Sequence, residues 1–173
     1  DWVDSIIKMH PNVIFEGCAS GGMRMDYKTL SRFSLCSTSD QIHCYKYPYI
    51  VGNIFSAVVP EQAAVWSYPV STFAIESSAE IDKEWVEQNI TDDRVALNMI
   101  NSLLGRMHLA GHLELLSDKQ YELVKEGVKV YKELAPFKKS ALPFLPLGFT
   151  SFGKETVAVG LKNKDTAYLA VYD

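Results

Sequence analysis

Residues 15–41 read FEGCASGGMRMDYKTLSRFSLCSTSDQ, and their reading decides the fold. Together with Val13 and Ile14, the opening residues make VIFEG a short apolar run that follows Pro11-Asn12, the signature of a short buried strand. MDYKTLSRF then suits a short helix or helical turn, and FSLCSTSD a second strand. Each strand stops at small and polar residues, the first at Cys18 and the Gly21-Gly22 pair, the second at Ser39 and Asp40. Alternating strands and helices imply parallel strands joined by helical crossovers. In barrels of this kind the chemistry sits where strands end. Two strand ends on one side of one sheet can aim polar groups into one pocket.

Outward from this stretch the alternation continues. Trp2, Val3, Ile6 and Ile7 recur at helical spacing, so residues 2–10 read as an amphipathic helix that Pro11 and Asn12 break. YPYIVGNIFSAVVPEQAAVW holds a helix and a third strand, and the polar stretch ESSAEIDKEW reads as surface loop and turn. Asp92 or Asp93 caps a helix running to about Leu104, with Val95, Met99, Ile100 and Leu103 on one face. GRMHLAGHLELLS is ambiguous between strand and loop. Ser117 and Gln120 form a capping box, which starts a helix at Asp118. That helix is expected to bury Tyr121, Val124, Val128 and Tyr131 and to end near Ala135, where Pro136 stops it. LPFLPLGF reads as a proline-rich connector, and TVAVGLKNKDTAYLAVYD as a β-hairpin turning at Asn163-Lys164-Asp165.

Several residues carry candidate chemistry, each beside a plainer role. Asp40 is a general acid if desolvation raises its pKa, or the N-cap of a following helix. Gly21 and Gly22 let the backbone approach a ligand, or simply make a turn. Cys18 is a reactive thiol or a small buried hydrophobe. Arg24 binds a carboxylate ligand or pairs with Asp26 or Glu16. His108 and His112 stand four apart, but Gly111 lies between them and no third ligand is placed, so no metal or other cofactor is expected. Glu61 and Glu76 read as solvated.

The totals narrow the class. The chain has 173 residues, a net charge of −4 and 47% hydrophobic residues, enough for a sizeable core. There is no basic block to suit nucleic acid and no apolar stretch long enough for a membrane-spanning helix. Three unpaired cysteines fit a reducing compartment, hence a cytoplasmic expectation. The start at Asp1 and the stop within a strand-like run lead to the expectation that this is a segment of a larger protein.

FEGCASGGMRMD followed by STSDQ resembles the α-galactosidases of glycoside hydrolase family 36. Members carry a Cys-x-Ser-Gly-Gly-x-Arg-x-Asp run and, some twenty residues later, an aspartate in a Thr-Ser-Asp triplet. Cys18, Ser20, Gly21, Gly22, Arg24 and Asp26, then Thr38, Ser39 and Asp40, match those positions. The resemblance extends over nearly the whole chain. It implies an α/β fold: residues 1–140 as the C-terminal half of a (β/α)8 TIM barrel, from about the fifth strand onward, and residues 141–173 as the first strands of an antiparallel C-terminal β-domain. It implies a retaining glycosidase cleaving terminal α-linked galactose from oligosaccharides such as raffinose or melibiose, with Asp40 as acid/base. Cys18 and the Gly21 backbone would touch galactose hydroxyls, with Gly22 and Arg24 in the same binding group. The family's nucleophile lies in a Lys-x-Asp motif that nothing in 1–173 matches, so the segment alone is expected to be inactive. A half barrel exposes sheet edges and apolar faces, so the segment is also expected to self-associate or to behave poorly without its other half, and the full-length protein is expected to be a homo-oligomer. One departure stands out. Many members place tryptophan just before Thr-Ser-Asp and Asn-Thr-Asp just after it; here Ser37 precedes it and Gln41-Ile42-His43 follow. An aromatic platform beside the acid/base residue would be missing. That leaves open an α-N-acetylgalactosaminidase, a galactosyl-transferring relative, or a non-catalytic sugar-binding or structural module.

Overall fold

The computed structural model describes residues 1–71 and 81–173. Four parallel strands form one sheet in sequence order: β1 (Glu16–Gly17), β2 (Leu35–Ser37), β3 (Ala63–Ser67) and β4 (Arg106–Leu109). Helices fill each crossover: α2 (Tyr27–Leu30), α3 (Tyr47–Ile54), then α4 (Lys83–Asn89) with α5 (Asp92–Leu103). An additional helix, α1 (Trp2–Met9), precedes β1, and α6 (Asp118–Lys138) follows β4. A separate antiparallel sheet holds β5 (Leu142–Phe144), β6 (Val157–Lys162) and β7 (Ala167–Tyr172). The alternation read from the sequence is thus the architecture observed.

Side chains alternate across a strand, so each strand serves two environments. Ala63 and Val65 of β3 face α3 and α6 in one apolar cluster with Tyr47, Val51, Phe55, Leu104 and Leu134. Met107 and Leu109 of β4 pack with Val95, Met99 and Val124 from α5 and α6 in a second. The alternate positions, Glu16, Ser37, Trp66 and His108, share the opposite face through the pairings Glu16–Leu35, Ser37–Ala64 and Trp66–His108. Val159 and Leu161 of β6 complete the first cluster, so the antiparallel sheet shares a core with α3.

The element ends show what local chemistry decides. Asp1 and Asp4 close a capping box on α1, and Asp26 caps α2 by accepting from the Thr29 amide at 3.0 Å. Thr91, not Asp92 or Asp93, caps α5; the two aspartates occupy its first turn, where their charge suits the helix dipole. Of the stretch read as surface loop, Lys83 onward is helical because Asp82 caps it, accepting from the Trp85 amide at 2.8 Å. Residues 76–80 of that reading, Glu76 included, lie outside the described residues. The segment holding His108 and His112 is strand, turn and a short 3₁₀ turn rather than helix, and His112 instead bonds Glu114.

The Ser117–Gln120 box starts α6 as the spacing predicts, and Gln120 also donates to the Ile90 carbonyl. Pro136 does not stop the helix, which runs on to Lys138. A proline in the last turn removes one backbone bond, and the two residues after it are held from outside. Phe137 packs edge-on to Tyr168, and the Lys138 ammonium donates to the carbonyls of Leu103 and Gly105 at 3.0 and 2.9 Å. The buried side of α6 is also rotated from expectation: Gln120, Val124, Gly127, Leu134 and Lys138 are buried, whereas Tyr121 is exposed. The supposed connector contains β5, whose Pro143 sits on the edge of the sheet, where a missing N–H costs no ladder bond. The hairpin turn is as expected, with Asn163 Oδ1 accepting from the amides of Asp165 and Thr166.

A Cβ on Gly127 would lie 2.8 Å from Met99 Cβ, an atom fixed to the α5 backbone. Gly127→Ala gains about 1 kcal/mol of helix propensity. Overpacking of this kind costs about 1–3 kcal/mol. The expected outcome is net destabilisation, read as a lower urea midpoint. Burial pulls the Lys138 pKa down to about 8, with Glu61 opposing the shift and Arg106 adding to it. Below that pH the amine is charged in both states. Between about 8 and its ordinary 10.5 the folded state sheds a proton that the unfolded state keeps, so stability rises with pH. This rise is expected to vanish in Lys138→Met when unfolding curves are compared across that range.

Candidate active site

The strand ends converge as a parallel sheet requires, and a close backbone contact joins the first two. Gly21 has φ +62° and Gly22 φ +89°. A Cβ on Gly21 would stand 2.1 Å from the Asp40 nitrogen, and one on Gly22 would stand 2.5 Å from the Thr38 carbonyl oxygen. Only glycine combines that backbone conformation with that approach. The turn after β1 is therefore seated on the Thr38–Asp40 backbone after β2.

The Asp40 backbone is held from several sides. Thr38 is buried, and its hydroxyl donates to the Ala64 carbonyl at 2.6 Å. The Tyr47 hydroxyl, reaching from α3, donates to the Ser39 carbonyl at 3.1 Å. Ser39 Oγ accepts from the Gln41 amide, and Gln41 Oε1 accepts from the amides of Ile42 and His43. The Asp40 carboxylate is exposed and caps no helix, since the next helical turn begins at Cys44 with His43 before it. It lies near two phenols: burial pushes the Tyr47 and Tyr68 hydroxyls up, and the Asp40 charge adds to both shifts. Both stay protonated near neutral pH, as donors.

The remaining candidates face a different opening. Cys18 and Arg24 are exposed and line an open cleft of about 490 Å³ with Glu16, Asp26 and Arg32, a cleft that does not include Asp40. Asp26 is committed to capping α2 rather than to Arg24. Cys36 and Cys44 are buried, and all three cysteines are free. Among the described residues no group of His, Cys, Asp and Glu could hold a metal ion.

Three aromatic residues escaped the sequence reading. Tyr47 is the buried donor just described. Trp66 stacks on Tyr68, with ring centroids 5.5 Å apart and planes 9° apart, and its Nε1 donates to Ser37 Oγ at 3.1 Å. His108 meets Trp66 edge-on at 4.8 Å, and burial holds its pKa below the usual value, so it is neutral at pH 7. The signal was present in AVWSYP: aromatic residues two apart at a strand end share one face.

No family model and no curated protein matches the sequence. Solved structures match the fold. Over 99% of this chain and 22% of that one, it superposes on the galactosidase domain of the α-galactosidase–sucrose kinase AgaSK with a TM-score of 0.77 at 16% identity. A doubly substituted family 36 α-galactosidase AgaA from Geobacillus stearothermophilus, in complex with raffinose, gives a TM-score of 0.74 at 17% identity over 98% of this chain and 22% of that one. The α-galactosidase from Lactobacillus brevis gives 0.70 at 18% identity over 94% and 20%. The chain spans about a fifth of the length of each. It has the fold of a portion of these enzymes.

Gly21 and Gly148 separate conformational strain from close approach. Both have positive φ, but nothing lies within 4 Å of a Cβ on Gly148. Gly148→Ala should cost only the left-handed strain, about 1–2 kcal/mol. Gly21→Ala should cost that plus an overpacking cost of about 1–3 kcal/mol. Denaturant midpoints of the two variants check the difference.

Proposed function

We propose that the chain is part of the catalytic barrel of a retaining α-galactosidase. On this reading residues 1–140 are the last four strands of a (β/α)8 barrel and 141–173 open a C-terminal β-domain. The outer sides of β1 and β4, which pair with no other strand among the described residues, support it, because an open parallel edge asks for further strands. So does the sheet face bearing Glu16, Ser37, Trp66 and His108, which would line the barrel's interior. The observation that carries the reading is the seating of Gly21 and Gly22 on the Thr38–Asp40 backbone, which brings two motifs separated in sequence into contact at neighbouring strand ends.

The chemistry assigned to Asp40 needs a carboxyl near the scissile oxygen and a second carboxylate about 5–5.5 Å away, supplied from outside this chain. In the first step Asp40 gives its proton to the glycosidic oxygen as the bond to the anomeric carbon breaks. The second carboxylate bonds to that carbon. In the next step ionised Asp40 takes a proton from water, whose oxygen attacks the anomeric carbon and releases the second carboxylate. Cys18 and the Gly21–Gly22 backbone are assigned to galactose hydroxyls, and Arg24 to the rim beside Cys18. The substrate class is terminal α-linked galactose on an oligosaccharide such as raffinose, which the Geobacillus variant binds, or melibiose. The 173-residue segment alone is inactive on this reading, since the nucleophile lies elsewhere.

In the full-length protein, Asp40→Asn is expected to lower kcat/KM for raffinose by about 10²–10⁴, the usual worth of a positioned acid/base. An activated aryl α-galactoside, whose leaving group needs no proton, should lose far less in the first step, and azide should restore turnover by yielding the galactosyl azide. Unchanged raffinose hydrolysis would dismiss the assignment.

A further inference from the structure

The resemblance leads one to expect an aromatic residue at position 37, where this chain has serine. Ser37 is nearly fully buried, and its hydroxyl accepts from the Trp66 indole. Ser37 and Trp66 lie on the same face of the sheet, since Ser37 pairs with Ala64 and Trp66 is two residues on. The small residue on β2 thus makes room for, and anchors, a large one on β3. The indole is fixed further by Tyr68 stacked parallel to it and His108 edge-on. Tyr68 is set in turn by its amide, which donates to Asn98 Oδ1 of α5 at 3.0 Å. Both rings remain partly accessible, and no hydrogen bond to the Tyr68 hydroxyl is found among the described residues. The Asp40 charge adds to the upward push that burial gives the Tyr68 hydroxyl.

We propose that the stacked Trp66–Tyr68 pair is a binding platform for the apolar C–H face of the terminal galactosyl ring. This rests on the α-galactosidase reading above. An aromatic face held rigid at low entropic cost suits the apolar side of a pyranose, and aromatic linings with a few fixed polar groups are the usual make-up of small-ligand sites. The choice of the galactosyl ring over the leaving group follows from depth. Trp66 lies within β3, one residue short of its last residue Ser67, while Asp40 lies beyond the end of β2. An enzyme that removes a terminal sugar holds that sugar at the floor of its pocket and turns the remainder of the substrate toward solvent. The ring set lower in the sheet therefore meets the terminal sugar.

The test uses the full-length protein, with galactose as a competitive inhibitor of p-nitrophenyl α-galactoside hydrolysis. Trp66→Ala is expected to weaken galactose inhibition by roughly tenfold, and to raise KM for raffinose, melibiose and the aryl galactoside alike. Trp66→Phe, which keeps an aromatic face but loses the Ser37 bond, should recover much of the affinity. If Trp66→Ala does not fold, Tyr68→Ala carries the same expectation. Galactose inhibition within twofold of the parent in a folded Trp66→Ala or Tyr68→Ala protein would overturn the platform. A raised KM for raffinose alone, with galactose inhibition unchanged, would also overturn it and move the contact to the leaving group. Failure of the underlying reading looks different: the parent protein would not hydrolyse any α-galactoside, or Asp40→Asn would hydrolyse raffinose at the parental rate.

Discussion

The site depends on a contact that only two glycines permit. The turn after β1 rests on the backbone of Thr38, Ser39 and Asp40 so closely that no side chain fits between them. Everything proposed for the strand ends follows from that seating. It fixes the height of Cys18 relative to Asp40, and it does so with main chain rather than with flexible side chains. Backbone placed in this way loses little freedom on meeting a ligand, which is the condition for a preorganised site.

The support beneath the contact is built from buried polar groups that are each satisfied. Thr38 bonds the Ala64 carbonyl, Tyr47 bonds the Ser39 carbonyl, and Ser37 accepts from Trp66. A buried hydroxyl without a partner would cost about 1–3 kcal/mol. Paired, each instead restricts the strand end to one geometry. Three neighbouring strands and α3 therefore converge on the few residues from Ser37 to Asp40.

Much of this was legible in the sequence, for reasons that differ by element. The strand–helix alternation could be read because apolar runs and turn residues mark it locally. The α6 start could be read because Ser117 and Gln120 bond within one turn. The α6 end could not, because Phe137 and Lys138 are held by Tyr168, Leu103 and Gly105, partners outside the helix. The α4 start was hidden in a polar stretch, where an N-cap such as Asp82 looks like any loop aspartate. At the site, the paired glycine and Thr-Ser-Asp motifs pointed to two strand ends that the fold brings into backbone contact. The spacing of Trp66 and Tyr68 was there to be read in AVWSYP, but the bond from Trp66 to Ser37 was not, because it depends on which residue of β3 lies across from Ser37, and register is a property of paired strands rather than of either one.

The shared core of the two sheets extends the reach of the site. Val159 and Leu161 of β6 pack in the same cluster as Tyr47 and Val51 of α3, and Tyr47 is the residue that grips Ser39. The terminal hairpin thus acts as a buttress for α3 and, through Tyr47, for the backbone at Ser39. Shortening the chain past Lys162 would strip β6 of its partner β7, slacken α3, and reach the Ser39 carbonyl through a single phenol.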